Sequence, residues 1–202
     1  MKENILNQKG FSLLEILVAM ALIAVVMAGL QFGGSKQRDI LEETIENFDR
    51  AIRYSQNEAI LLGKVTRIKI DFESAPVEYV IEQSSKSNLL LGQKVDLSKL
   101  SLREREEWEA SNKKTNQQFS RSSEFADEAF KVEEPLTIVG MGHLSIEKVQ
   151  DQGDQSIYFY PSGTREAAII FFSSENEFAA LEINAFSPKT RVLYHNYTEF
   201  ET

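Results

Sequence analysis

From Phe11 the chain runs 22 residues, to Phe32, with Glu15 as its only charged side chain. At about 1.5 Å per residue, a helix of that length spans roughly 33 Å, enough to cross a hydrocarbon core of about 30 Å. A lone carboxylate there costs about 2.5–3.5 kcal/mol on insertion scales, so it needs a partner or a task. The pattern then changes. Leu41, Ile45, Phe48, Ile52 and Ala59 recur at three-, four- or seven-residue spacing, with Glu42, Glu43, Glu46, Asp49, Arg50 and Arg53 mostly elsewhere. That is an amphipathic helix, expected to end near Gly63. Gly33 and Gly34 stand between the two parts, where the helix can bend or loosen. A continuous helix from about 12 to 62 would measure roughly 75 Å.

Beyond Gly63 the period falls to two. Val65–Phe72 sets Ile68, Ile70 and Phe72 on one face and Arg67, Lys69 and Asp71 on the other, as in a half-buried strand. Val77–Ile81 alternates likewise. Strand-like runs resume at Leu136–Val139, Leu144–Val149, Ile157–Tyr160, Ala167–Phe172, Ala179–Phe186 and Arg191–Tyr194. Turn signals separate them: Gly140 and Gly142, Asp151–Asp154, Pro161-Ser162-Gly163, Ser173–Asn176 and Ser187-Pro188. Short spacing implies hairpins and antiparallel pairing. The expected fold is α+β, a long amino-terminal helix packed on an antiparallel sheet.

Residues 83–134 break the rhythm. Ser84–Asn88 and Asn112–Gln118 are their softest parts, and Leu100–Ala110 reads as a short helix carrying Trp108, the only tryptophan. The stretch is expected to be an insertion between strands: a loop this long is usually functional or disordered. Trp108 is expected to pack; exposed, it would be a candidate interface anchor.

Composition sharpens this only in places. The 202 residues carry a net charge of -9. After the apolar span and the amphipathic helix, about 140 residues remain, enough for one domain with its own core. An acidic balance argues against general binding to nucleic acid or anionic lipid. There is no cysteine, so no disulfide. Lys2 and Lys9 favour a cytoplasmic amino terminus, while Lys36 and Arg38 after the span dilute that bias.

The start of the run carries a resemblance. Gly10-Phe11-Ser12-Leu13-Leu14-Glu15 resembles the class III signal of type IV pilins and type II secretion pseudopilins. An ordinary secretory signal has a shorter apolar core, with its cleavage site after it; here the candidate cut precedes a longer run. The resemblance implies cleavage after Gly10 by a prepilin peptidase, N-methylation of Phe11, and a filament-assembly role for Glu15, the glutamate at the fifth mature position. Cleavage would leave 192 residues; the leader holds Lys2, Lys9 and Glu3, a net +1, so the mature chain would carry -10. The layout is then a leader over 1–10, a transmembrane and filament-core helix over 11–32, an amphipathic helix over 33–63, and a periplasmic β-rich domain over 64–202 with the insertion at 83–134.

Two later stretches narrow the resemblance. Phe48–Ile70 is similar to the helix-to-strand junction of H-type (GspH/FimT-like) minor pseudopilins and minor pilins, with Arg53, Ser55, Glu58-Ala59 and Gly63 in place. Ile157–Gly163 resembles their aromatic-x-Pro-x-Gly segment. Two features depart from the group. Its last hairpin commonly holds a glycine where this chain has Ser187-Pro188-Lys189-Thr190, so that turn must use another geometry. The insertion is also long. The resemblance implies a minor structural subunit of the type II secretion pseudopilus, anchored in the bacterial inner membrane and placed near the filament tip. Its partners would be other major and minor pseudopilins, the prepilin peptidase and the inner-membrane assembly platform, with no cofactor and no metal. The alternative is a minor pilin of a type IV pilus, for adhesion, motility or DNA uptake. Glu199 and Glu201 near the carboxyl end argue against DNA binding.

A membrane-anchored enzyme has thin support. His143 and His195 are the only histidines, about 50 residues apart, and each reads better as a surface or packing residue. Ser162 lacks the flanking glycine pattern of a nucleophile elbow. Asp151 and Asp154 could bind a cation, but a solvated turn explains them better.

Overall fold

The computed structural model describes residues 35–87, 89, 95, 99–122, 128–143, 146–174 and 177–196. The leader, the apolar run over 11–32 and the Gly33-Gly34 pair lie outside the described residues. The chain divides into two units, Met1–Asp39 and Ile40–Thr202, and the packing below belongs to the second.

Helix α1 spans Ser35–Leu62. Its buried stripe is Leu41, Ile45, Phe48, Ala51, Ile52, Ser55 and Ala59, the heptad-like spacing of the sequence. Away from this stripe the helix carries ion pairs one turn apart, Glu46 with Arg50 at 3.7 Å and Asp49 with Arg53, which add a few tenths of a kcal/mol each. Gly63 ends the helix at φ +63°, a conformation that costs glycine little and other residues more. There the amide of Lys64 donates to the carbonyl of Ala59 at 3.2 Å, the closing bond of a Schellman motif.

The chain then forms two antiparallel sheets rather than the one expected. The first holds β1 (Thr66–Asp71), β2 (Glu78–Ser84), β3 (Phe119–Arg121), β4 (Phe130–Lys131) and β7 (Asp154–Phe159), with β1 between β2 and β7. Ile68 stands opposite Ile81 on one side and Ile157 on the other. The second holds β5 (Thr137–His143), β6 (Ile146–Gln150), β8 (Ala168–Ser173), β9 (Glu177–Ile183) and β10 (Thr190–Asn196), in the order β10-β9-β8-β5-β6. Neighbours in sequence mostly pair, but β1–β7 and β5–β8 are longer-range, so the fold is not a chain of hairpins.

Two sequence expectations need correction. Gly140 and Gly142 do not turn the chain; both lie inside β5. The strand shifts register after Ile138 and again after Met141, and a bulge of this kind is where a glycine interrupts a strand pattern. At Gly140 an added Cβ would stand 2.4 Å from a methyl of Val149 and 3.3 Å from the carbonyl of Gln150, so the close approach of β6 calls for a glycine. Residues 83–134 are likewise not a single loose insertion. Strand β2 runs on through Ser84, and β3 and β4 both pair with it. Helix α2 covers Leu102–Asn116, taking in most of Asn112–Gln118, one of the two parts expected to be softest. It begins at a capping box in which Ser101 and Glu104 satisfy each other's backbone amides. None of its residues is buried, and Trp108 is half-buried rather than packed.

All three layers share one core. Phe48 sits 4.8 Å from the ring of Tyr79 in the first sheet and 5.9 Å from Phe172 in the second, edge-on. Its side chain is fully buried. We expect Phe48→Ala to destabilise the domain by about 3–5 kcal/mol, read from chemical denaturation; a loss within the error of the wild-type midpoint would show that the layers do not depend on this ring.

Candidate functional site

The residues singled out for processing and assembly, Gly10, Phe11 and Glu15, lie outside the described residues. What the structure does describe is how the following helix is gripped by the domain it carries. Thr66 donates from its hydroxyl to the carbonyl of Ser55 at 2.6 Å. Gln56 donates to the carbonyl of Tyr160 at 3.3 Å. Tyr54 and Ser122 share a hydroxyl contact at 3.2 Å. Thr190, at the start of β10, donates to Asp49 at 2.6 Å. These bonds tie α1 to both sheets through buried and half-buried positions, while the apolar stripe fills the core. A load carried by the helix therefore reaches both sheets.

The unusual last hairpin is explained by Arg165, which sequence reasoning missed. The residue is 4% exposed. The Nε donates to the carbonyl of Asn184 at 2.9 Å, and one terminal nitrogen donates to the carbonyls of Ser187 and, at 3.3 Å, Lys189. A planar fork of fixed donors suits that task better than an ammonium would. Burial pulls the Arg165 pKa down, and the nearby Asp49 carboxylate opposes that shift. A glycine turn needs no such clamp; here Ser187-Pro188-Lys189 is held by side-chain donors instead. The only sequence signal was the missing glycine.

A second buried cation ties α2 to the first sheet. Arg67, 2% exposed, pairs with Glu82 at 2.6 Å and donates to Asn116 at 2.5 Å and to the Tyr158 hydroxyl at 3.4 Å. Its guanidinium also lies 4.1 Å above the ring of Phe119. Period-two alternation placed Arg67 on the outward face; Asn116 and Phe119 from the 83–134 stretch, with Glu82 and Tyr158 from the neighbouring strands, surround it there.

The residues considered for chemistry are dispersed. His143 is buried on β5 and His195 pairs with Phe178 at the far end of β10. Ser162 is exposed on the turn after β7, with its hydroxyl 2.8 Å from that of Thr164. Asp154 pairs with Lys69 at 2.8 Å. Among the described residues no group of three or more His, Cys, Asp or Glu side chains is placed to hold a metal. A cleft of about 1100 Å³ opens beside Pro76, Val132, Pro135 and Leu136; Glu133 and Glu134 are the titratable groups in its lining.

Two expectations follow. Arg165→Ala should speed amide hydrogen exchange across 184–190 by at least about tenfold, since three carbonyls lose their donor; exchange unchanged there would mean that the loop holds itself. The Tyr160 phenol is pushed up to about 12, by burial first and then by Glu166 and Tyr158. The unfolded chain releases that proton near pH 10 and the folded chain near 12, so this contribution is intact below pH 10 and lost between the two. Tyr160→Phe should flatten the alkaline loss of stability in that window, measured by denaturation at stepped pH.

Comparison with known proteins bears on the amino-terminal segment. The prokaryotic N-terminal methylation motif matches residues 5–30, a span that contains Gly10, Phe11 and Glu15. No curated protein matches the chain. Among solved structures, the minor pseudopilin EpsH from the type 2 secretion system of Vibrio cholerae is similar at 12% identity, over 75% of this chain and 94% of that one, with a TM-score of 0.42, too low to carry an argument. The α+β class expected from the sequence is the one observed. The chain thus opens with a prepilin-type N-methylation motif and continues into an α+β domain of helix and antiparallel sheets.

Proposed function

We propose that the chain is a minor structural subunit of a type II secretion pseudopilus, a periplasmic filament that helps to export folded proteins through the outer membrane. The observation that carries this reading is the methylation motif over residues 5–30, followed by an apolar run whose one charge is Glu15. The head domain is consistent with it, because α1 is held by both sheets and would transmit motion of its amino-terminal extension to the head. In this reading the prepilin peptidase cuts after Gly10 and methylates Phe11, and the apolar segment anchors the subunit in the inner membrane until assembly. The subunit then joins the other pseudopilins through the membrane platform. The role is mechanical and requires no catalysis by this chain.

Glu15 supplies the driving contact. Cleavage creates a cationic amine at Phe11, and a carboxylate four residues later is poorly paired with it inside lipid. In a filament, Glu15 of an incoming subunit meets the Phe11 amine of its neighbour, where low dielectric strengthens the attraction. The charge sets register and favours extraction from the bilayer. Because Glu15 needs such a neighbour, the subunit belongs below the filament's tip rather than at its very end.

Glu15→Ala should leave cleavage intact but lower incorporation into sheared filaments by at least about tenfold, equivalent to about 1.4 kcal/mol, measured by immunoblot against the membrane fraction. Normal incorporation would remove the assembly role. The choice of machine is tested by the secreted proteome of a strain lacking the gene against the complemented strain. Exoproteins that accumulate in the periplasm and return outside on complementation are expected. Unchanged secretion with lost surface pili would assign the chain to a type IV pilus as a minor pilin.

A further inference from the structure

Two features at opposite ends of the second sheet complement each other. The first is the loop between β9 and β10. Phe186 there is 87% exposed, more than any other large hydrophobic among the described residues. A single exposed apolar residue on a loose loop means little, but this loop is held. Arg165 donates to the carbonyls of Asn184, Ser187 and Lys189, and the amide of Phe186 donates to the Asn184 side chain at 2.9 Å. Thr190 is bonded to Asp49 of α1. Beside the ring, Lys189 is exposed, and no carboxylate among the described residues pairs with it. Residues 184–191 hold no acidic side chain, on a chain of net charge -9. Arg191, the other cation of this stretch, faces Glu182 across the β9–β10 ladder.

The second feature is the cleft beside Pro76, Pro135 and Leu136. It offers about 1100 Å³, above the roughly 300–1,000 Å³ of a small-molecule cleft, so it admits the tip of a loop. Glu133 and Glu134 line it and are exposed, and neither pairs with a cation among the described residues. Ser173 and Ser174, which also line the cleft, precede β9, whereas Phe186 and Lys189 follow it. The seven residues of β9 set the two features about 20 Å apart along the strand. A chain's own loop therefore stays clear of its own cleft, and the two meet only between copies. We propose that Phe186 of one copy seats in the cleft of a second copy, with Lys189 against Glu133 and Glu134. A ring on an ordered mount loses little freedom on association, and aromatic anchors seated in pockets supply much of an interface's affinity. Charge selects the approach. Two acidic domains repel each other in most orientations, and this one sets the loop's free cation against two carboxylates. The two surfaces are unlike, so the contact is heterologous, and repeating it builds a head-to-tail series rather than a two-fold dimer. The inference stands on the head domain alone and does not rest on the filament reading.

The test is site-specific photocrosslinking of the full chain in the organism's own cells. Phe186 is replaced by p-benzoylphenylalanine, with the same label at exposed Ser162 as control, and adducts are mapped by mass spectrometry. We expect an adduct between two copies of the chain, joined at residues 74–77 or 132–137 of the second copy. Lys189→Glu should lower its yield at least about fivefold, and adding Glu133→Lys and Glu134→Lys to that chain should restore it, because the pair is then reversed. Both charge variants should keep the wild-type melting temperature, which separates a lost contact from a lost fold. No adduct above the Ser162 control would overturn the proposal. So would adducts confined to another protein, to lipid or to a different face of the second copy, or a yield that ignores Lys189→Glu or is not restored by the reversed pair.

Discussion

The head domain depends on the burial of one face of α1 between two sheets, and Phe48 is where that burial is shared. Its ring touches Tyr79 of the first sheet and Phe172 of the second, so neither sheet's inner face is complete without the helix. Open sheets of this size need a layer against their apolar face. Leu41, Ile45, Ile52 and Ala59 extend the same seam along the helix, and no cysteine is available to staple the sheets together. The core therefore holds helix to sheets and sheet to sheet at once. Helix α1 is thus a part of the core rather than an attachment to it.

Around this seam, two buried arginines fix what the core does not reach. Arg165 closes the β9–β10 loop through backbone carbonyls, and Arg67 docks the end of α2 through Glu82 and Asn116. They differ in what the surroundings contribute. Arg67 has a carboxylate and two aromatic faces, those of Phe119 and Tyr158, so its charge is compensated locally. Arg165 is held chiefly by neutral carbonyl dipoles; burial pulls its pKa down, and the Asp49 carboxylate opposes that shift. Each cation holds a segment with little apolar surface of its own: the Ser187-Pro188-Lys189 turn in one case, and in the other a helix with no buried residue.

Where the sequence could be read, the reason was periodicity. The stripe from Leu41 to Ala59, its stop at Gly63 and the alternation of Ile68 and Ile70 are each set by local geometry, and all appear in the structure. What escaped was set by residues far away in the chain. Gly140 and Gly142 looked like a turn because glycine pairs usually are; the proximity of Val149 makes them part of a bulged strand instead. The division into two sheets depends on β7 joining β1 rather than β8, and alternation alone carries no information on that choice. Helix α2 was underestimated at its polar end, where Asn112–Asn116 continue a helix that the Ser101–Glu104 box had started. Arg67 was placed on an outward strand face and Arg165 drew no reading, since nothing nearby in sequence announces the groups that surround them. The prepilin motif was legible for the opposite reason: its information lies within six consecutive residues.

The same electrostatic rule links the head domain to the proposed role of Glu15. A charge removed from water must be given a partner, or the desolvation cost stands uncompensated. Inside the head, Arg67 finds Glu82 and Arg165 finds carbonyls, all from the same chain. In the apolar run from Phe11 to Phe32 there is no basic side chain at all. Glu15 therefore has no side-chain partner within its own segment, and the amine that cleavage would create at Phe11 is the nearest positive charge the chain can offer. In a helix, four residues would set that amine about 6 Å away along the axis; under the filament proposal a neighbouring subunit supplies it instead. In the proposed reading, the partner is the amine of a second copy of the motif, and the composition of the run shows why a partner is needed.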